Sequence, residues 1–172
     1  RLLQDTARDF FASHAPVAAL RKLRDIHDPV GYDPQLWQQM AEMGWASIIL
    51  PETYGGLDFG FLGLGVVLEE SGRTLTASPL FASAVVGASA VLLGGSEALK
   101  QSLLPDIAGG KMTLALALEE THHHNPTYIS TTANIQGENF ILNGSKCFVL
   151  DGHSADKLIV VARTGGTERS SA

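Results

Sequence analysis

Two adjacent carboxylates, Glu119 and Glu120, are followed directly by Thr121 and the histidine run His122-His123-His124, and further along Asn143-Gly144-Ser145-Lys146 leads into Cys147 and the apolar run Phe148-Val149-Leu150. Imidazole is a common metal ligand, and residues i and i+2 of a strand share a face, so His122 and His124 invite a metal reading. A closed zinc site needs four ligands at recognisable spacing, whereas only Glu120 and Asn125 lie near this run, so no metal is assigned. Glu52, Glu69, Glu70, Glu119 and Glu120 are general bases by residue type alone, and none is nominated. Arg21, Lys22 and Arg24 would attract phosphates, but a charge run of this kind is more often a solvated helix face. Phe148 and Leu150 offer an apolar face to a flat ligand, and equally the core side of a strand.

The elements that must position these residues are legible from their punctuation. Leu2, Leu3, Thr6, Ala7, Phe10 and Phe11 repeat at helical spacing and predict one buried stripe. A second helix is expected from Pro16 to Ile26, stopped by Asp28-Pro29. Asp33-Pro34 starts a third as N-cap and first position, burying Leu36, Trp37, Met40 and Met43 until Gly44 closes it. A fourth spans Phe61 to Ser71 and carries glycines that imply close packing or a frayed start. Ser78-Pro79 opens a fifth, rich in alanine and ending at Gly94-Gly95, and Ser96 opens a sixth that runs to Pro105.

From Met112 the period becomes two. Met112 to Leu118 predicts a strand buried on both faces. Thr131 to Ile135, a turn at Gly137-Glu138-Asn139, and Phe140 to Leu142 predict an antiparallel hairpin. Asn143-Gly144 marks a further turn into a strand from Lys146 to Leu150, and Asp151-Gly152 turns again before a strand from Lys157 to Arg163. The expected fold class is therefore α+β: an N-terminal all-α helical bundle over 1–111, then an incomplete antiparallel β-domain over 112–172.

Composition bounds the function. The 172 residues include 12 basic and 18 acidic side chains, a net charge of -6, which gives no footprint for nucleic acid or an anionic membrane. The apolar run Ala82 to Leu93 is too short to span a bilayer and no signal peptide shows at the start. Cys147 is the single cysteine, so an intrachain disulfide is excluded and a cytoplasmic setting is expected. The absence of an initial methionine and the small, polar stretch from Thr164 to Ala172 lead to the expectation that the chain is a fragment.

The order of these landmarks resembles the acyl-CoA dehydrogenase family. They are Trp37 to Trp45 with Gly44, the Pro51-Glu52-Thr53-Tyr54-Gly55-Gly56 loop, Glu69-Glu70, Leu104-Pro105 with Gly109-Gly110-Lys111, and Asn143-Gly144-Ser145-Lys146. The resemblance covers essentially the whole chain and stops before the family's C-terminal helical domain. It implies bound FAD, an acyl-CoA substrate into which a Cα–Cβ double bond is introduced, an electron-transfer flavoprotein-like acceptor, and a homo- or hetero-oligomer. The catalytic base would come from the C-terminal domain, outside this chain.

The same resemblance implies a site. The family's Thr-Glu-Pro strand corresponds to Leu118-Glu119-Glu120, its Ser-Asp pair to His124-Asn125, and its Trp-Ile-Thr strand to Phe148-Val149-Leu150. Leu118, Thr121, His124, Phe148, Val149 and Leu150 are thus the expected cofactor-binding residues, with His124 also against substrate. Leu118 and Leu150 lack the hydroxyl that relatives offer there, while backbone groups would still serve and Phe148 keeps an aromatic face. Two other readings remain at this point: a non-catalytic partner subunit of a hetero-oligomer, and a metal-binding histidine loop.

Overall fold

The structure is a computed structural model that describes residues 1–169. The tail expected to form a loop lies partly beyond them, at 170–172. The six expected helices are present: α1 (Leu2–His14), α2 (Val17–Asp25), α3 (Pro34–Glu42), α4 (Gly60–Arg73), α5 (Ala88–Gly94) and α6 (Glu97–Ala108). Among the described residues the strands that follow are β1 (Leu114–Ala117), β2 (Thr132–Gln136), β3 (Asn139–Asn143) and β4 (Lys157–Val160). No helix among the described residues is long and apolar enough to cross a membrane.

The bundle closes around aromatic packing. Phe11 is fully buried and Trp45 nearly so, their ring centroids 5.1 Å apart, and Phe10 meets Trp45 edge-on at 4.9 Å. Trp45 reaches this position because Gly44, at φ 79°, turns the chain sharply out of α3. Trp45 N–H then returns to the Met40 carbonyl at 3.1 Å. At the start of α3 the Asp33 carboxylate accepts the Gln35 N–H, as an Asp-Pro N-cap should. Met43, expected inside, is 42% exposed, because it lies past the last helical turn at the C-cap.

One ion cluster ties α1 to α4. The Glu70 side chain has no solvent exposure and takes hydrogen bonds from Arg8 Nε (3.1 Å), Arg8 Nη2 (2.9 Å) and Gln4 Nε2 (3.0 Å), with Arg73 Nε at 3.0 Å. Those bonds, Arg8 first, hold its carboxyl below the ordinary range. The α4 glycines divide in use. A Cβ on Gly63 would lie 2.2 Å from the Phe59 ring, whereas Gly65 and Gly72 face open space.

Three boundaries depart from the sequence expectation. The run from Leu80 to Gly94 is one helical passage, but its first half, Leu80–Gly87, is wound as a π-helix that passes into α5. Small residues make this workable: Ser83 Oγ accepts the Leu114 N–H at 3.2 Å, and a Cβ on Gly87 would lie 2.5 Å from Leu114 Cβ. The π-wound segment is thus the surface on which β1 lies. Pro105 does not end α6, which continues to Ala108, and Gly109 N–H bonds the Pro105 carbonyl at 3.0 Å.

The third departure concerns the sheet. β2 and β3 form the expected antiparallel hairpin, Ala133 opposite Leu142, whereas β1 and β4 pair in parallel, Leu114 opposite Lys157. Asp156 starts that pairing, its Oδ2 accepting both the N–H (2.7 Å) and the hydroxyl (2.9 Å) of Thr113. No strand forms from Lys146 to Leu150. Phe148 and Asp151 sit at φ 51° and 55°, a left-handed backbone that breaks a ladder, so this segment is an irregular loop.

Because Phe11 is fully buried at the centre of the bundle, Phe11→Ala is expected to lower unfolding free energy by about 3–5 kcal/mol. Urea denaturation of the chain measures it, and a loss under about 1 kcal/mol would show that the Phe11–Trp45 contact does not organise this core.

Candidate functional site

The two segments singled out in the sequence meet. Leaving β1, the chain runs through 118–125; leaving β3, it runs through 144–150; and polar contacts join the two. Cys147 N–H donates to the Glu119 carbonyl (2.9 Å), Cys147 Sγ to the Thr121 carbonyl (3.3 Å), and Lys146 Nζ to the Leu118 carbonyl (3.1 Å). Another is an ion pair, Lys146 Nζ to Glu120 Oε1 at 2.7 Å, with the two side chains only 9% and 2% exposed.

Glu120 is the centre of this arrangement. Besides Lys146, its Oε1 accepts the Thr131 N–H (2.9 Å), and its Oε2 accepts both the N–H and the hydroxyl of Ser130. Burial alone would push this carboxyl up, but the donors from Lys146 and Ser130 outweigh it and hold it well below the carboxylate range. A carboxylate so buried and so fully engaged is held ionised and is not placed to take a proton from a ligand. Glu119 is likewise committed, to the Asn125 N–H (3.1 Å) and to His124 Nδ1 (2.5 Å), and its carboxyl is lowered mainly by the Asn125 bond.

Beside this hub lies an open cleft of ≈ 520 Å³. Ala117, Leu142, Leu158 and Val160 give it an apolar wall, the loop residues Lys146, Phe148 and Val149 another, and Gly152 and His153 a rim. Phe148 stands 70% exposed and touches the His122 ring edge-on, centroids 6.0 Å apart, while Leu150 is 53% exposed just outside the cleft. The positive φ of Phe148 is what turns its ring out of any core. His153 Nε2 is 3.1 Å from the Val30 carbonyl, and so ties this rim to the helical bundle.

Of the expected residues, Phe148 and Val149 line the cleft directly. Leu118 and Thr121 are not part of the cleft lining, and their carbonyls accept from Lys146 and Cys147, which are. His124 is on the 121–125 turn with its side chain 78% exposed and Nδ1 held by Glu119. Within the histidine run, His124 is held by Glu119 and His122 meets Phe148, and no group of three or more metal-ligating side chains exists among the described residues. Sequence reasoning missed Lys146 and Glu120 as a pair. The signal available was the lysine ending Asn143-Gly144-Ser145-Lys146, a cation in an otherwise apolar neighbourhood.

Comparison with known proteins bears on this geometry. The family model described as acyl-CoA dehydrogenase, N-terminal domain, matches residues 1–111. Cyclohex-1-ene-1-carbonyl-CoA dehydrogenase of Geobacter metallireducens is 35% identical over 127 residues, covering 72% of this chain and 33% of that protein. The 3-(aryl)acrylate reductase of Clostridium sporogenes is 30% identical over 171 residues, 95% of this chain and 43% of that protein. Among solved structures, an acyl-CoA dehydrogenase from Bacillus anthracis complexed with FAD superimposes with a TM-score of 0.82 at 25% identity, covering 94% of this chain and 28% of that one. The chain thus spans well under half the length of these relatives.

The lowered Glu120 carboxyl carries a pH signature. A group whose folded pKa lies below its unfolded one stabilises the fold fully above the unfolded value, and that contribution is lost as pH falls through the folded value. Glu120→Gln is therefore expected to destabilise the chain at pH 7, with the deficit relative to the parent shrinking as pH drops below the ordinary 4.5. Urea melts of both proteins between pH 7 and pH 3 measure this, and a deficit independent of pH would contradict it.

Proposed function

The chain belongs to the acyl-CoA dehydrogenase family, and from that premise we propose that it supplies the helical domain and the first flavin-binding elements of an FAD-dependent enzyme that introduces a Cα–Cβ double bond into an acyl-CoA thioester. The observation that carries this reading is the cleft enclosed by the end of β1, by β3 and β4 and by the 144–149 loop, with the exposed Phe148 ring on its wall. Its ≈ 520 Å³ falls inside the range of about 300–1,000 Å³ common to small-molecule sites.

The residues fit one face of a flat heteroaromatic group. Ala117, Leu142, Val149, Leu158 and Val160 exclude water from an apolar surface, and Phe148 supplies a ring for stacking. Leu118 and Thr121 have their carbonyls occupied, so their share of the site is backbone N–H and shape. Leu150 extends the apolar edge, and His124, its Nδ1 held by Glu119, is the side chain this proposal assigns to the substrate. When bound, FAD supplies the hydride-accepting chemistry. Among the described residues no carboxylate lines the cleft, so the proton-abstracting base belongs to the remainder of the enzyme, as do most contacts to acyl-CoA and to an electron-transfer flavoprotein-like acceptor. A cytoplasmic homo- or hetero-oligomer is part of the same proposal.

In the complete protein, Phe148→Ala should weaken FAD binding about fivefold, since an aromatic contact is worth on the order of 1 kcal/mol beyond area burial. Flavin fluorescence titration measures the dissociation constant. An unchanged constant would remove Phe148 from the site, and a complete protein that takes up no FAD would favour the non-catalytic partner subunit instead.

A further inference from the structure

Lys146 and Glu120 stand apart from the apolar lining of the cleft. Lys146 is part of the cleft wall, two residues before the exposed Phe148, yet its side chain is only 9% exposed. A lysine in such a place presents a full positive charge to whatever binds, unless something cancels it. Glu120 lies 2.7 Å away, 2% exposed and outside the cleft lining, and is fixed by Ser130 and by Thr131, itself a cleft residue. The carboxylate therefore has two effects at once. It fixes the lysine ammonium, which also donates to the Leu118 carbonyl, and it leaves the wall without net charge.

We propose that Glu120 is a positioning and charge-compensating residue for the flavin: by neutralising Lys146 it keeps the cleft wall matched to an uncharged ring system and fixes the loop that carries Phe148. The proposal rests on the flavin reading above. Its chemical consequence follows from charge alone. Reducing a flavin places electrons on the ring system, and a free cation nearby would favour the electron-rich form, whereas a paired one is indifferent. Loss of the Glu120 charge with Lys146 kept should make the midpoint potential more positive, and loss of both charges should undo that shift.

The experiment uses the complete protein and three partners to it: Glu120→Gln, Lys146→Met and the double variant. Flavin content as purified and midpoint potential by reductive titration are read for each, with circular dichroism as the check on folding. The expected result is a potential shifted positive in Glu120→Gln, with flavin retained, and a return to the parental potential in the double variant. Glu120→Gln that keeps its flavin at the parental potential overturns the inference while leaving the flavin reading intact. A parent protein devoid of flavin overturns both. If Glu120→Gln and the double variant both fail to fold, the pair serves folding alone and the proposed role is overturned.

Discussion

A carboxylate removed from water must be matched on both oxygens, and at Glu120 this requirement organises the region in which the site lies. Three stretches of chain that are themselves neither helix nor strand converge on that side chain: the exit from β1, the approach to β2 at Ser130 and Thr131, and Lys146 beyond β3. Deleting any one partner leaves a buried charge short of a donor, so the three stretches are interdependent. Gly144 shows how tight the convergence is, since a Cβ there would lie 2.4 Å from Thr131 Oγ1.

The helical bundle meets the same requirement at Glu70, where Arg8, Gln4 and Arg73 surround a carboxylate that joins α1 to α4. Between bundle and strands the constraint is steric. Gly87 must be a glycine for Leu114 to come close, and the π-winding of Leu80–Gly87 brings Ser83 to the Leu114 N–H. Further away, the Trp37 indole N–H donates to the Gly110 carbonyl at 3.0 Å, fixing the turn that leads into β1. β1 is therefore held at its start by the bundle and at its end by the Glu120 hub.

Much of this was legible in the sequence, for identifiable reasons. Asp33-Pro34, Gly44 and Ser96 are local signals, and local chemistry decides them: a cap, a left-handed turn and another cap. The hairpin at Gly137 likewise follows from turn residues between alternating runs. What was illegible depends on tertiary partners. The parallel pairing of β1 with β4 joins segments 43 residues apart through Asp156 and Thr113, and no periodicity announces it. Phe148 to Leu150 alternates like a strand but is not one, because the neighbouring Lys146 is drawn to Glu120 and Phe148 turns through a left-handed backbone. In the site, Phe148 and Val149, expected from the resemblance as cofactor contacts, line the cleft, while the Glu120–Lys146 pair emerged only when 26 residues of separation closed to 2.7 Å.

The central claim is that 118–125 and 144–150 form one wall of a single flavin site. Hydrogen–deuterium exchange on the complete protein, with and without FAD, addresses it directly at the level of backbone amides. The account predicts added protection on FAD binding in both stretches together, with the α2 surface around Arg21 to Arg24 unaffected. Protection confined to other regions, or to only one of the two stretches, would contradict it.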